Sequence, residues 1–305
     1  MLDGAIPPVT WKYYTNDKKN LWTAPNAIEG ICEPLTLGAL DCNPVGTDWL
    51  NVINESEANE HPAQILDDIL GCASGTVPNV SFVVPDGAWS DHAGVKIQTS
   101  ALGPSWVAAI VNAVGNNSST CPVNWANTVI LVTWDDWGGW YDHVDPDPNG
   151  ITGYSDGSGN AYVYGFRVPL LVVSAYSAVP APPNTGYVSG YASFTGDANA
   201  PTSCPTVPDT RYCHDFGSIL NFIEYVFGQN GNTLGEISPN YHYADFFAPD
   251  APHNCITCPY PYALGDFFLF NQSPRPFTTI PAPHLASYFQ TWEGAAQDPD
   301  DDASE

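Results

Sequence analysis

The stretch NTVILVTWDDWGGWYDHVDP, residues 127–146, decides the fold prediction for this chain. It begins with a β-branched apolar run, residues 127–134, which is typical of a central strand in a buried sheet. Two adjacent carboxylates, Asp135 and Asp136, follow the strand directly. Because adjacent carboxylates repel each other and have no obvious packing role, they indicate a site for a positive charge at the end of the strand.

Buried strands alternate with helices on both sides of this stretch. Strands are predicted at VTWKYYTN (9–16), VPNVSFVVPDG (77–87) and RVPLLVVSAYS (167–177). Helices are predicted at HPAQILDDIL (61–70), GPSWVAAIVNAVG (103–115) and DFGSILNFIEYVFG (215–228). This alternation predicts an α/β layered sandwich with a largely parallel central sheet, in which ligand sites gather at the carboxyl ends of strands.

Local signals mark the ends of the helices and of the domain. Ser105 is expected to cap the second predicted helix, with Gly115 at its end, and Asp215 is expected to cap the third. One domain is expected over residues 1–291, followed by an acidic, disordered tail over residues 292–305.

The charge balance narrows the choice of partners. The 305 residues include 33 Asp plus Glu and only 7 Lys plus Arg, for a formal net charge of −26. Nucleic acid is excluded as a partner because a phosphate backbone needs a basic patch. A solvated acidic surface that aids solubility is favoured over adaptation to acidic surroundings. No apolar run approaches the ~18 residues of a transmembrane helix, so none is expected.

The cysteine content indicates an oxidising compartment, and a secreted or periplasmic location is expected. The chain has eight Cys, an even number. Local disulfides are predicted for the pairs that bracket short Pro-containing loops, Cys32/Cys42 and Cys204/Cys213. Cys255 and Cys258 form a CxxC that could be half of a zinc site, but the sequence has no second CxxC to complete it, so a disulfide or unpaired structural thiols are favoured.

The residues after the Asp pair fit a metal site. Carboxylate oxygens suit Mg²⁺, Ca²⁺ or Mn²⁺, and carboxylates with a His also accept Zn²⁺. Gly138 and Gly139 allow a sharp turn that returns Asp142 and His143 towards the carboxylates. Each part alone is more often a loop, a cap or a surface His, and it is the combination that favours a site.

A second block, VVPDGAWSDHAG (83–94), repeats the pattern of a strand, a turn and an Asp-His pair. Here His92, next to Asp91, can serve as a general acid or, once protonated, bond to an anionic transition state. The alternative is a structural turn in which Asp86 and Asp91 act as caps.

Four further side chains can contact substrate. Arg167 can bind phosphate, although an ion pair with a nearby carboxylate is favoured. Trp137 and Tyr141, with Trp140, can form an aromatic cage for a choline group, although aromatic side chains more commonly serve packing.

Taken in order, six blocks of this sequence resemble the bacterial phosphoesterase family over roughly residues 5–250: VTWKYY, VPNVSFVVPDGAWSDHAG, GPSWVAAIVNAV, NTVILVTWDDWGGWYDHVDP, YGFRVPLLVVSAYS and HDFGSILNFIEYVFG. That family includes phospholipase C enzymes of the phosphatidylcholine type and certain acid phosphatases, and its fold resembles that of alkaline phosphatase. The resemblance implies an alkaline-phosphatase-like sandwich and a substrate that is a phosphate ester or a phospholipid. Phospholipase C and acid phosphatase stay open as alternatives.

The resemblance also implies roles for individual residues. Asp135 and Asp136 match the family's metal ligands, which would hold one divalent ion whose identity stays open. His92, with Asp91, matches the active-site His of the family, and His143 with Asp142 matches a supporting Asp-His block. The implied reaction is attack on phosphorus, with charge offset by the metal and the His.

One part of the family pattern is not found in this sequence. The family opens with a Glu-Asn-x-Ser-Phe-Asp-His block and a Ser or Thr nucleophile, whereas this chain begins at MLDGAIPPVTWKYY, which resembles a later part. The resemblance therefore implies an N-terminally incomplete domain whose nucleophile lies outside this chain.

Two functions are weighed. The first is a metal-dependent hydrolase of phosphoric esters, and the alternative is a non-catalytic remnant or binding module that keeps the fold. A carboxylate-pair glycosidase is excluded, because its carboxylates flank a bond at about 5 Å or more whereas these two Asp are adjacent.

Overall fold

The structure is a computed structural model that describes residues 2–18, 22–28, 30–34, 42–54, 63–90, 92, 101–143, 165–177, 216–228, 264 and 267–292. It divides into two compact units. The sheet unit comprises Thr10–Ile130 and Pro276–Glu305, and the Asp-pair unit comprises Met1–Val9 and Leu131–Arg275. The single domain expected over 1–291 stays a prediction, and residues 293–305 of the expected tail lie outside the described ranges.

The sheet unit is built on a three-stranded parallel sheet in the order β4-β1-β5. Its strands are β1 (Trp11–Thr15), β4 (Val52–Asn54) and β5 (Val80–Val83). Tyr13 of the central strand is in register with Val52 on one side and Phe82 on the other. A separate antiparallel pair joins β2 (Cys32–Pro34) to β3 (Cys42–Pro44). The chain is therefore α/β with a parallel central sheet, as the sequence predicts.

Two predicted helices in this unit are confirmed, as α1 (Gln64–Leu70) and α2 (Leu102–Asn116). The expected cap at Ser105 is wrong. The N-cap of α2 is Ala101, which makes no capping hydrogen bond with its side chain, and Ser105 is buried inside the first turn. The helix begins at Leu102, a buried core residue, before the position that a cap at Ser105 would require.

Gly115 lies within the last turn of α2 rather than beyond its end. A Cβ atom at this position would lie 2.3 Å from the Phe277 ring, so the missing side chain makes room for that ring. The segment after Phe277 is also fastened to α2, because the Asn112 side chain bonds both the N–H and the C=O of Ile280, at 2.8 and 2.9 Å.

A further helix of this unit, α4 (Ala286–Gln290), lies in a region for which the sequence analysis predicts no helix or strand. Its Phe289 is fully buried against Trp89 and Trp106, with ring centroids 5.3 and 5.2 Å apart. The C-terminal segment therefore completes the core of the sheet unit.

Strand β6 (Val129–Thr133) pairs with β7 (Leu170–Ser174) in a two-stranded sheet. The Asp-pair unit contains residues 131–133 of β6, the whole of β7 and the helix α3 (Phe216–Gly228). All three elements occur where the sequence predicts them, but the central, buried position predicted for β6 is not observed: among the described residues β6 pairs only with β7, and its residues are half-buried or exposed. The cap expected at Asp215 lies outside the described residues. No helix in the described ranges is long and apolar enough to span a membrane.

One disulfide joins Cys72 to Cys121, 49 residues apart, a pairing that the sequence analysis does not predict. Cys32 is also disulfide-bonded, in agreement with its predicted oxidation. The remaining predicted partners, including the Cys42 side chain, lie outside what the structure describes.

Close in sequence to Cys72 and Cys121, a side-chain amide also links the ends of α1 and α2: the Asn117 amide donates to the carbonyls of Ile69 and Val123, both at 3.0 Å.

Replacing both Cys72 and Cys121 by Ser is expected to lower the free energy of unfolding by about 2–4 kcal/mol, because the bridge restricts a long loop of the unfolded chain. Urea titration under oxidising conditions measures the loss. Reduction of the wild-type protein opens this bridge together with the disulfide of Cys32, so the loss it causes is expected to be at least as large. An unchanged urea midpoint in the double variant would contradict the prediction.

Candidate functional site

The turn after β6 has the sharp geometry predicted from the Gly pair. Gly138 and Gly139 have φ values of 66° and 73°, in the left-handed region that residues with a Cβ rarely adopt. The Gly138 N–H donates to Asp136 Oδ1 at 2.5 Å, and the Trp140 N–H donates to the Trp137 carbonyl at 3.3 Å. The Asp-pair loop, defined here as residues 134–143, is thus a hydrogen-bonded turn.

Asp135 and Asp136 are exposed at the carboxyl end of β6. Apart from the bond that Gly138 donates to Asp136, the described part of the chain supplies no hydrogen bond or ion pair to either carboxylate. Their oxygens suit a hard divalent cation. Across the described ranges, no three His, Cys, Asp or Glu side chains come together as a metal cluster. The described residues thus provide two carboxylates whose oxygens suit a cation, without a third ligand of these types beside them.

Asp142 forms a bidentate ion pair with Arg167, with Nε–Oδ2 and Nη2–Oδ1 distances of 2.7 and 2.8 Å. The Arg167 backbone N–H also donates to Asp142 Oδ2 at 3.2 Å. The Asp142 side chain is only 12% exposed, against 49% for Arg167. Of the two interpretations of Arg167, the structure bears out the ion pair, which ties the Asp-pair loop to the segment before β7.

His143 lies at the surface beside this ion pair. Its Nδ1 is 3.7 Å from Asp142 Oδ1, and its side chain is 86% exposed.

The Thr133 hydroxyl donates to the Pro169 carbonyl at 2.8 Å, a second link between the end of β6 and the start of β7.

Two aromatic residues of the loop pack on Phe166, which the sequence analysis does not single out. Trp137 and Tyr141 each pack edge-on against the Phe166 ring, both with centroids 5.9 Å apart. Tyr141 is nevertheless 80% exposed. The signal that could have identified Phe166 is its position next to Arg167 in GFRVP.

In the sheet unit, the second block forms a short 3₁₀ turn after β5. Asp86 is fully buried and accepts a hydrogen bond from the Ala88 N–H at 2.8 Å, so it acts as the cap that the structural alternative predicts. Asp91 lies outside the described residues. The half-buried His92 donates its backbone N–H to Ser90 Oγ at 3.1 Å.

The His92 ring contacts Trp22 edge-on, with centroids 5.8 Å apart and planes at 69°. Trp22 is a second residue that sequence reasoning misses. Its backbone carbonyl accepts a hydrogen bond from the Tyr13 hydroxyl at 2.8 Å. Burial raises the pKa of Tyr13, and the N–H of Ala24, which bonds the hydroxyl, offsets part of that rise.

The structure thus groups the predicted site residues into two sets. The Asp-pair unit brings together the Asp-pair loop and Arg167, with Trp137, Tyr141 and His143 on that loop. The sheet unit holds His92 with Trp22 at the carboxyl end of its parallel strands.

Comparison with known proteins gives a family and several relatives. The model of the Phosphoesterase family matches residues 7–229. Phospholipase C A of Mycobacterium tuberculosis is 27% identical over 187 residues, which cover 56% of this chain and 33% of that protein. Phospholipase C B of the same organism is 32% identical over 133 residues, covering 39% of this chain and 24% of its own length.

A third relative is the non-hemolytic phospholipase C of Burkholderia pseudomallei, 30% identical over 120 residues that cover 34% of this chain and 16% of that protein. The chain thus spans about a third of the length of the first of these relatives. No solved structure matches this chain.

Proposed function

This chain belongs to the phosphoesterase family, and we propose from that membership that it hydrolyses phosphoric esters in a metal-dependent reaction of the phospholipase C or acid phosphatase type. The observation that carries the proposal is the exposed Asp135-Asp136 pair, held on a hydrogen-bonded turn at the end of β6. The names of the phospholipase C relatives support the same class of reaction.

In this proposal Asp135 and Asp136 supply two oxygen ligands for one divalent ion. A bound divalent ion would offset the negative charge that develops on the phosphoryl oxygens. The Gly138 N–H bond orients the Asp136 carboxylate before any ligand arrives. Further ligands and the nucleophile would come from residues that the structure does not describe.

The remaining residues bind or move protons. His92, with Asp91, would donate a proton to the leaving oxygen or a hydrogen bond to the developing anion. Arg167, held by Asp142, would orient the Asp-pair loop and present its half-exposed guanidinium to the phosphoryl group. Trp137 and Tyr141 would contact the group esterified to the phosphate, and His143 would support Asp142.

A secreted or periplasmic location belongs to the same proposal. Its support is the Cys72–Cys121 bridge together with the bonded state of Cys32, since disulfides persist in oxidising compartments.

Hydrolysis can be tested with p-nitrophenyl phosphate and p-nitrophenyl phosphorylcholine, each assayed before and after chelation and again after Mg²⁺, Ca²⁺, Mn²⁺ or Zn²⁺ is added back. We expect turnover of at least one ester, its loss on chelation and its return with one of the metals. The preferred ester separates the acid phosphatase type from the phospholipase C type. A folded protein that turns over neither ester would favour the non-catalytic alternative.

A further inference from the structure

We propose that Trp22 is a positioning residue for His92. Its indole ring holds the imidazole of His92 in a fixed orientation for the proposed phosphoryl chemistry. The inference rests on the proposed function, in which His92 meets the reacting group. The observation behind it is the edge-to-face contact between the two rings, with centroids 5.8 Å apart and planes at 69°. This is a favoured geometry for an aromatic pair.

Trp22 is itself held by the central strand of the sheet. The Tyr13 hydroxyl donates to the Trp22 carbonyl at 2.8 Å, and the Tyr13 ring stacks on Phe82 of β5. The next residue, Thr23, is fully buried and donates its hydroxyl to the Asp17 carbonyl at 2.6 Å. The backbone at Trp22 is therefore fixed at the carboxyl end of β1.

The indole ring is placed by packing. Its Nε1 is buried and finds no acceptor in the described part of the chain. The position of the indole ring is therefore set by its packing, including the contact with His92, and by the anchored backbone of Trp22.

His92 is fixed on its other side through the turn after β5. Its N–H donates to Ser90 Oγ at 3.1 Å, and that hydroxyl donates to the Gly87 carbonyl, also at 3.1 Å. These bonds fix the backbone of His92, and the Trp22 ring packs against the imidazole and restricts its rotation. Small errors in the placement of a catalytic group lower its rate strongly.

Two variants separate the aromatic contact from simple filling of space. Trp22→Leu keeps apolar volume without an aromatic ring, and we expect it to lower kcat by about tenfold with little change in KM. Trp22→Phe restores an aromatic edge and is expected to recover most of the wild-type kcat. Trp125→Phe is the matched control, because Trp125 packs on Phe277 in the same unit and is expected to leave kcat unchanged.

A second measurement does not depend on turnover. The imidazole resonances of His92, assigned by their loss in His92→Gln, are expected to shift in Trp22→Leu, because the ring current of the indole is gone, and to stay in place in Trp125→Phe. Wild-type kcat and unshifted His92 resonances in Trp22→Leu would overturn the positioning role alone. A wild-type protein without turnover would instead overturn the proposed function, whatever the resonances show.

Discussion

Asp135→Asn is expected to lower kcat/KM for the better of the two p-nitrophenyl esters by about 10²–10³-fold, the loss typical of removing one group that stabilises charge in a transition state. The amide keeps the shape of the carboxylate and removes the charge that attracts a cation. Because Asp135 is exposed and the described residues make no hydrogen bond to it, its substitution should change stability by no more than about 0.5 kcal/mol.

The same variant should bind less metal. Metal content after dialysis, measured beside kcat/KM, is expected to fall with activity, and excess divalent ion should restore part of the rate. Asp3→Asn is the matched control, since it removes one charge from an exposed carboxylate in the same unit outside the Asp-pair loop. Full activity and full metal content in Asp135→Asn would remove Asp135 from the proposed site.

The prediction of the fold succeeds where a single element carries enough apolar sequence. Strands β6 and β7 and helices α2 and α3 are long enough for their pattern to be visible in the sequence. Strand β4 has three residues and helix α4 has five, too short for either period to appear. They are fixed by tertiary contacts, the pairing of β4 with β1 and the burial of Phe289.

The same distinction applies to the candidate site. The sharp turn at Gly138 and Gly139 follows from local chemistry and is predicted. The ion pair between Asp142 and Arg167 joins residues 25 apart. The sequence therefore indicates that Arg167 pairs with a carboxylate, but not which carboxylate it is. Phe166 and Trp22 act through contacts across the fold. The position of Phe166 next to Arg167 is its one local signal, and Trp22 has none.

Phe289→Ala is expected to lower the free energy of unfolding by about 3–5 kcal/mol, because it removes a large side chain from the centre of a packed aromatic cluster. Phe289 is 0% exposed and contacts Trp89, Trp106 and Tyr288 at centroid distances of 5.3, 5.2 and 5.3 Å. The rigid rings around it cannot collapse to fill the cavity, which places the expected loss in the upper part of the range for core truncations.

Urea unfolding followed by tryptophan fluorescence measures this loss, and the neighbouring indoles report directly on the site. Leu285→Ala is the control, because Leu285 is 62% exposed just before α4 and its truncation should cost about 0.5 kcal/mol or less. A loss below about 1 kcal/mol for Phe289→Ala would mean that α4 contributes little to the stability of the sheet unit. A loss in the expected range would make residues 276–292, which follow the matched family region 7–229, a structural requirement for the sheet unit that carries His92.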